Sequence, residues 1–241
     1  MRQASGVFIT GTDTGVGKTF VAAGLLRSLV KKGIRAAPFK PAETGCPVKE
    51  SRLNPLDAIE LKKAACVDVP LELVNPYAFE HPLAPSAASE LEGRRIEIDK
   101  IKDAFYTLGS QFDFVLVEGA GGLMVPIVGA YFFADLAYDL ALPLIVVTRP
   151  GLGTINHTLL TIEAARYRGL NLFGIVINYS LPEINSQAES TNPAVIHLLS
   201  GVPILGIIPF SRCSNQKTEH IFDSISTRLI QFIKKTEKAV V

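Results

Sequence analysis

The stretch Gly11-Thr-Asp-Thr-Gly-Val-Gly-Lys18-Thr19 decides how this chain is read. It follows the apolar run Gly6-Val-Phe-Ile-Thr10 and precedes Phe20-Val-Ala-Ala-Gly-Leu-Leu-Arg-Ser-Leu29. Strand, glycine-rich loop, Lys-Thr and helix form the context of a phosphate-binding loop. Gly15 and Gly17 permit backbone conformations closed to other residues, so successive N–H groups can turn inward around an anion. The helix that begins near Gly17 aims its free N–H groups and positive dipole end at the same place. Lys18 can reach the β- and γ-phosphates of a nucleoside triphosphate, and the Thr19 hydroxyl can ligate Mg²⁺. The pattern departs from the standard one in a single respect. A glycine is expected five residues before Gly17, where Thr12 stands, and it falls one residue earlier, at Gly11.

Outward from the loop, short apolar runs alternate with helical stretches. The strand candidates are Val7–Thr10, Ala36–Phe39, Phe114–Glu118, Leu144–Thr148, Phe173–Asn178 and Ile204–Ile208. Most are continuous apolar blocks, which marks strands buried on both faces. Helices are expected over Lys18–Lys32, Asp57–Ala65, Ile98–Ser110, Ala134–Leu140, Asn156–Arg168, Thr191–Ser200 and Glu219–Lys235. This alternation predicts an α/β fold: one domain over residues 1–241, with a doubly wound, mostly parallel sheet and helices on both faces. The proline-dotted segment Val67–Arg95 is expected as an ordered surface loop. Residues 181–193 are expected as a mobile connection, and the tail Lys234–Val241 is expected to fray.

Composition narrows the function. The 241 residues are 48% hydrophobic with a net charge of +1, which is ample for a buried sheet and leaves no basic footprint for nucleic acid or anionic membrane. The most apolar region, Tyr131 to Val147, is broken by Asp135, Asp139 and Pro143, short of the ~20 apolar residues of a membrane span. Cys46, Cys66 and Cys213 form neither a metal pattern nor an even disulfide set. With no signal peptide at the N-terminus, these features predict a cytoplasmic protein.

In a doubly wound sheet, ligands bind beyond the carboxyl ends of the strands. The loops there are Lys40-Pro-Ala-Glu-Thr-Gly45, Glu118-Gly-Ala-Gly-Gly122, Arg149-Pro-Gly-Leu-Gly-Thr-Ile-Asn156-His157, Asn178-Tyr179 and Pro209-Phe210. Glu118, at the tip of a buried strand beside a phosphate loop, sits where a magnesium ligand belongs. Lys40 can neutralise a developing anion or can equally be a solvated surface lysine. Asp57, after Pro55, reads as an acid stabilised by a helix N-terminus. Thr154 to Asn156 open a second anion-ready helix end, fit for a substrate carboxylate. No nucleophile–base pair stands out.

These pieces resemble the ATP-dependent dethiobiotin synthetase family. The resemblance is carried in order by Gly11–Thr19, Phe39–Gly45, Asp57, Asn75-Pro-Tyr77, Pro85, Val117–Gly122, Gly153–His157 and Asn178. It implies an ATP-dependent cyclo-ligase. Carbon dioxide joins one amine of 7,8-diaminononanoate as a carbamate, which attacks the γ-phosphate of ATP. The second amine then closes a ring on the mixed anhydride. By resemblance, Lys18, Lys40 and Thr14 act in catalysis, and Thr19, Asp57 and Glu118 hold Mg²⁺. The nucleotide is contacted by Thr12, Asp13, Gly15, Val16, Gly17, Lys18, Thr19, Glu118, Gly121, Asn178, Ile208 and Pro209. The substrate is contacted by Thr14, Lys40, Thr44, Gly121, Thr154 and Asn156, the last two from the second subunit of a homodimer with interface active sites. The rival readings are an ATP-driven dimer switch of the partitioning kind and another amide-forming ligase. A switch carries a lysine five residues before the loop lysine, where this chain has Asp13. A glutaminase-bearing ligase needs a further domain and a Cys/His site.

Overall fold

A computed structural model describes residues 5–182, 186–211 and 215–239. Six strands form the central sheet: β1 (Gly6–Gly11), β2 (Ala36–Phe39), β3 (Phe114–Gly122), β4 (Leu144–Thr148), β5 (Leu172–Asn178) and β6 (Ile204–Ile208). Their order is β6-β5-β4-β1-β3-β2 and every pairing is parallel. Nine helices accompany them among the described residues: α1 (Lys18–Lys31), α2 (Leu56–Ala65), α3 (Leu71–Val74), α4 (Pro85–Leu91), α5 (Ile98–Gln111), α6 (Phe133–Asp139), α7 (Thr154–Tyr167), α8 (Gln187–Ser200) and α9 (Gln216–Ala239).

Alternation along the strands sends neighbouring residues to opposite faces, so each face builds its own core. Val7, Ile9, Leu116, Ile145 and Val147 face α1, α2 and α9, where Leu25, Leu61 and Phe222 pack against them. Phe8, Phe39, Val115 and Val117 face α5 and α6, meeting Ile101, Phe105 and Phe133. Val146, Ile175 and Ile177 meet Ile162 of α7 and Ile196 of α8. β1 lies at the centre. The chain leaves it toward β2 on one side and reaches β4 on the other, so the direction of winding reverses at β1. The phosphate loop therefore hangs over the switch point of the sheet.

Three expectations need correction. The segment Val67–Arg95 is not a loop throughout: it contains α3, α4 and the pair Tyr77–Ala78, which joins Ala42–Glu43 in a small parallel ladder. Its prolines start helices as well as interrupt them, with Pro70 preceding α3 and Pro85 in the first turn of α4. The region 181–193 is helical from Gln187, because Ser186 and Glu189 form a reciprocal capping box that starts α8 before Pro193. Residues 183–185 of that region lie outside the described residues. α9 extends through Ala239, so only Val240 and Val241 of the expected frayed tail lie beyond it, outside the described residues.

Candidate active site

The loop between β1 and α1 is shaped by one glycine and one asparagine. Gly17 has φ 88°, and no side chain caps α1, which leaves the N–H groups of its first turn for a ligand. A Cβ at Gly17 would lie 2.1 Å from Nδ2 of Asn178. Asn178, buried at the tip of β5, donates through Nδ2 to the Val16 carbonyl at 2.9 Å. The tip of one strand thus braces the loop of another. Lys18 folds back, its Nζ donating to the Asp13 carbonyl at 3.2 Å. Burial, with Lys40 adding to it, lowers the Lys18 ammonium from 10.5 to about 8.

Lys40 is no surface lysine. It is 2% exposed and Glu118 is fully buried. Its Nζ donates to Glu118 Oε1 at 2.6 Å and pairs with Asp57 Oδ2 at 3.0 Å. Burial by itself lowers a lysine, but Glu118 and Asp57 outweigh it and hold Lys40 protonated above its ordinary range. Asp57 shows the converse. Burial pushes it up, and Lys40 with the Thr19 hydroxyl brings it below the usual carboxylate range. Thr19 Oγ1 donates to Glu118 Oε1 at 2.9 Å, while Oε2 of Glu118 is buried without a hydrogen-bond partner among the described residues. β3 does not stop at Glu118, since its pairing runs on to Gly122 opposite Gly11.

The Lys40 loop is itself tightly held. Lys40 N donates to the Val74 carbonyl at 2.8 Å, and Asn75 Nδ2 donates to the Lys40 carbonyl at 2.7 Å. Glu43, buried three residues on, accepts from the backbone N–H of Asp57 and of Ala58, each at 2.9 Å. Burial pushes its carboxyl up to about 7 despite these two donors.

Together these residues line a cleft of about 660 Å³. Its polar lining comes from Thr14, Gly15, Gly17, Lys18, Thr19, Lys40, Glu43, Thr44, Asp57, Glu118 and Gly121, and its apolar lining from Pro82, Leu83, Ala84, Pro85, Ala120 and Val125. A lining that combines charged groups with apolar side chains suits a short alkyl chain with polar groups at its reacting end. Gly121 has φ 64°, and a Cβ there would lie 2.9 Å from Val125, so this turn also needs glycine. The two carboxylates and the Thr19 hydroxyl suit Mg²⁺, which takes one or two protein carboxylates and completes its shell with water and phosphate oxygens. The unpartnered Oε2 of Glu118 fits that use.

Several expected residues are not part of this lining. Thr12 is half-buried within the phosphate loop, its hydroxyl 3.1 Å from that of Thr148. Thr154 is fully buried. Its hydroxyl lies 2.7 Å from that of Thr148 and it does not present its side chain at the start of α7, whereas Asn156 is exposed there. The two stand apart from the Lys40 cleft within one subunit. Ile208 is buried beside Asn178 in the sheet, with Pro209 half-buried after it. The apolar wall at Pro82–Ala84 and the Glu43 link carry no sequence signal of their own, although Glu43 stands inside a motif that does.

An AAA-domain family model matches residues 5–218. In fold the chain is similar to the cell division ATPase MinD of Pyrococcus furiosus (TM-score 0.55, 16% identity, 95% of this chain and 99% of that one). It is similar also to a putative plasmid partition protein of Borrelia burgdorferi bound to AMPPNP (TM-score 0.59, 13% identity, with the same two coverages). Those likenesses extend to the fold alone. In sequence the chain is 47% identical over 213 residues to the ATP-dependent dethiobiotin synthetase of Thermodesulfovibrio yellowstonii, covering 86% of this chain and 89% of the relative. It is 44% identical over 208 residues to that of Methanocaldococcus jannaschii, covering 84% and 92%. With a phosphate loop, a buried Lys40–Glu118 pair and this degree of identity along most of its length, the chain belongs to the ATP-dependent dethiobiotin synthetase family.

Proposed function

We propose that the protein converts 7,8-diaminononanoate, carbon dioxide and ATP to dethiobiotin, the ring-closing carboxylation of biotin synthesis. The observation that carries this reading is the position of Lys40. It is buried, protonated and aimed into the cleft that the phosphate loop overhangs. A carbamate and a transferring phosphate are both anions, and a fixed cation between them stabilises the charge that passes from one to the other.

The chain's own residues divide the work. The N–H groups at the start of α1 and the Lys18 ammonium receive the phosphates. Thr14 and Thr44, both on the cleft wall, place the carbamate-bearing end of the diamine, and Gly121 lets its backbone approach. Thr19, Asp57 and Glu118 would hold Mg²⁺, which would supply neutralisation of phosphate charge. Lys40 steadies the carbamate oxygen as it attacks. No covalent link to the protein is required, so catalysis rests on positioning and charge. In this reading Asn178, Ile208 and Pro209, at the ends of β5 and β6, contact the adenine. In a homodimer, the α7 N-terminus of the second subunit, with exposed Asn156 and the backbone at Thr154, receives the substrate carboxylate. The enzyme works in the cytoplasm, in line with the lack, among the described residues, of any helix long and apolar enough to cross a membrane.

The test combines purified protein, Mg²⁺, ATP, radiolabelled bicarbonate and the diamine. The expected result is acid-stable label in a ureido product with one phosphate released per ring. ATP hydrolysis without acid-stable label would favour an ATP-driven switch instead.

A further inference from the structure

α2 has no cap of its own. Its N-cap residue is Pro55, which makes no side-chain hydrogen bond, and its first intrahelical bond runs from Ile59 N–H to the Pro55 carbonyl. The N–H groups of Asp57 and Ala58 are orphans of that first turn. Both are taken by one carboxylate from another part of the chain, with Glu43 Oε1 on Asp57 and Oε2 on Ala58, each at 2.9 Å. Glu43 is 5% exposed, and its own backbone is held on both sides. Ala42–Glu43 pairs with Tyr77–Ala78, and the Glu43 carbonyl accepts from Phe79 N–H at 2.8 Å. The result is a short, stiff strut from the Lys40 loop to the start of α2.

What the strut sets is the place of Asp57. Asp57 is the second residue of α2, and its carboxylate reaches Lys40 Nζ at 3.0 Å and the Thr19 hydroxyl. A helix end left unattached could slide or fray, carrying Asp57 away from both. We infer that Glu43 is a positioning residue for the Mg²⁺ site: it docks the α2 N-terminus on the Lys40 loop and so holds the Asp57 carboxylate toward Thr19 and Glu118. This rests on the proposed metal role of Asp57. Although Glu43 borders the cleft, both of its carboxylate oxygens are taken by the α2 N–H groups, so it acts through Asp57.

The experiment measures the binding of a non-hydrolysable ATP analogue by calorimetry across a Mg²⁺ titration, for wild type, Glu43→Ala, Glu43→Gln, Asp57→Ala and the double variant Glu43→Ala/Asp57→Ala. Thermal melts check that each variant folds. Glu43→Gln keeps the volume and one acceptor should the alanine variant not fold. The Mg²⁺ concentration for half-maximal binding is expected to rise about tenfold in Glu43→Ala, the scale at which a ligand's supporting partner acts, and less in Glu43→Gln. In the double variant the rise is expected to equal that of Asp57→Ala alone, because one residue works through the other. An unchanged Mg²⁺ requirement in both Glu43 variants, or penalties that add fully in the double variant, overturns the inference. Failure of the proposed reaction is read separately, as absence of ureido product from wild type.

Discussion

A lysine held in a dry site by two carboxylates is costly to disturb. Lys40→Gln leaves Glu118 buried without its cation, a change that destabilises by about 3–5 kcal/mol in comparable sites. We expect turnover to vanish and the melting temperature to drop, while ATP affinity, measured by calorimetry, stays within a few-fold. Unchanged turnover would remove Lys40 from the chemistry. Lys18 gives a pH signature. Its pKa is about 8 in the folded protein against 10.5 in the open chain. Between those values the unfolded chain carries a proton at Lys18 that the folded one lacks, so the Lys18 contribution to the stability of the nucleotide-free protein rises as pH climbs from about 8 to 10.5. At about 1.4 kcal/mol per pH unit the full rise is about 3 kcal/mol. Burial of the Cys46 thiol, pushed up from 9.0 to about 12, works the other way above pH 9, so the readout is the difference between wild type and Lys18→Met in urea unfolding at intervals across that range. No difference in slope between the two would mean that Lys18 is not desolvated.

Single elements show where sequence reading succeeds and where it stops. The loop Gly11–Thr19 and the strand of Glu118 are recognisable because each lies within a few consecutive residues, and spacing along one element settles which groups converge. Glu43 was readable as part of Lys40-Pro-Ala-Glu-Thr-Gly45, yet its partners are the N–H groups of a helix that begins after Pro55 and caps itself with nothing. Thr154 illustrates the same limit in reverse. Its place at a helix start suggested a ligand, but its hydroxyl joins Thr148 and Thr158, with Thr12 at the far side of Thr148. This buried hydroxyl chain ties the phosphate loop to β4 and α7. Thr148→Val removes its centre and strands neighbouring hydroxyls in the interior. A loss of about 1–3 kcal/mol in chemical denaturation is expected. A variant as stable as wild type would show that these hydroxyls find other partners.

At the scale of the whole molecule, the cleft of one subunit holds Lys40 but not Asn156, so the proposal that Asn156 receives the substrate carboxylate calls on a second copy. This can be tested by complementation. Lys40→Gln removes the cation from one subunit's cleft, and Asn156→Asp sets a carboxylate against that of the substrate in the other's. Each variant alone should be close to inactive. Mixed after reversible dissociation, half of the dimers would be hybrids, each with one intact site, restoring about a quarter of wild-type activity. Mixtures no more active than the separate variants would place all substrate contacts within one subunit.

The alternation of apolar runs and helical stretches, with a glycine-rich loop after the first, was enough to indicate a doubly wound sheet that binds a triphosphate, and the loops Phe39–Gly45 and Val117–Gly122 added the family. Those features are local, and the right-handed crossover rule turns a string of local elements into one topology. Only the tertiary structure decided that Lys40 is buried against Glu118, a partner 78 residues away, and that Asp57 pairs with the same lysine. It also decided that Thr154 faces inward and that Glu43 secures α2. Burial and pairing depend on which distant segments the sheet order brings together. The motif Gly11–Thr19 says that phosphate binds, and the packing around it says which charges meet it.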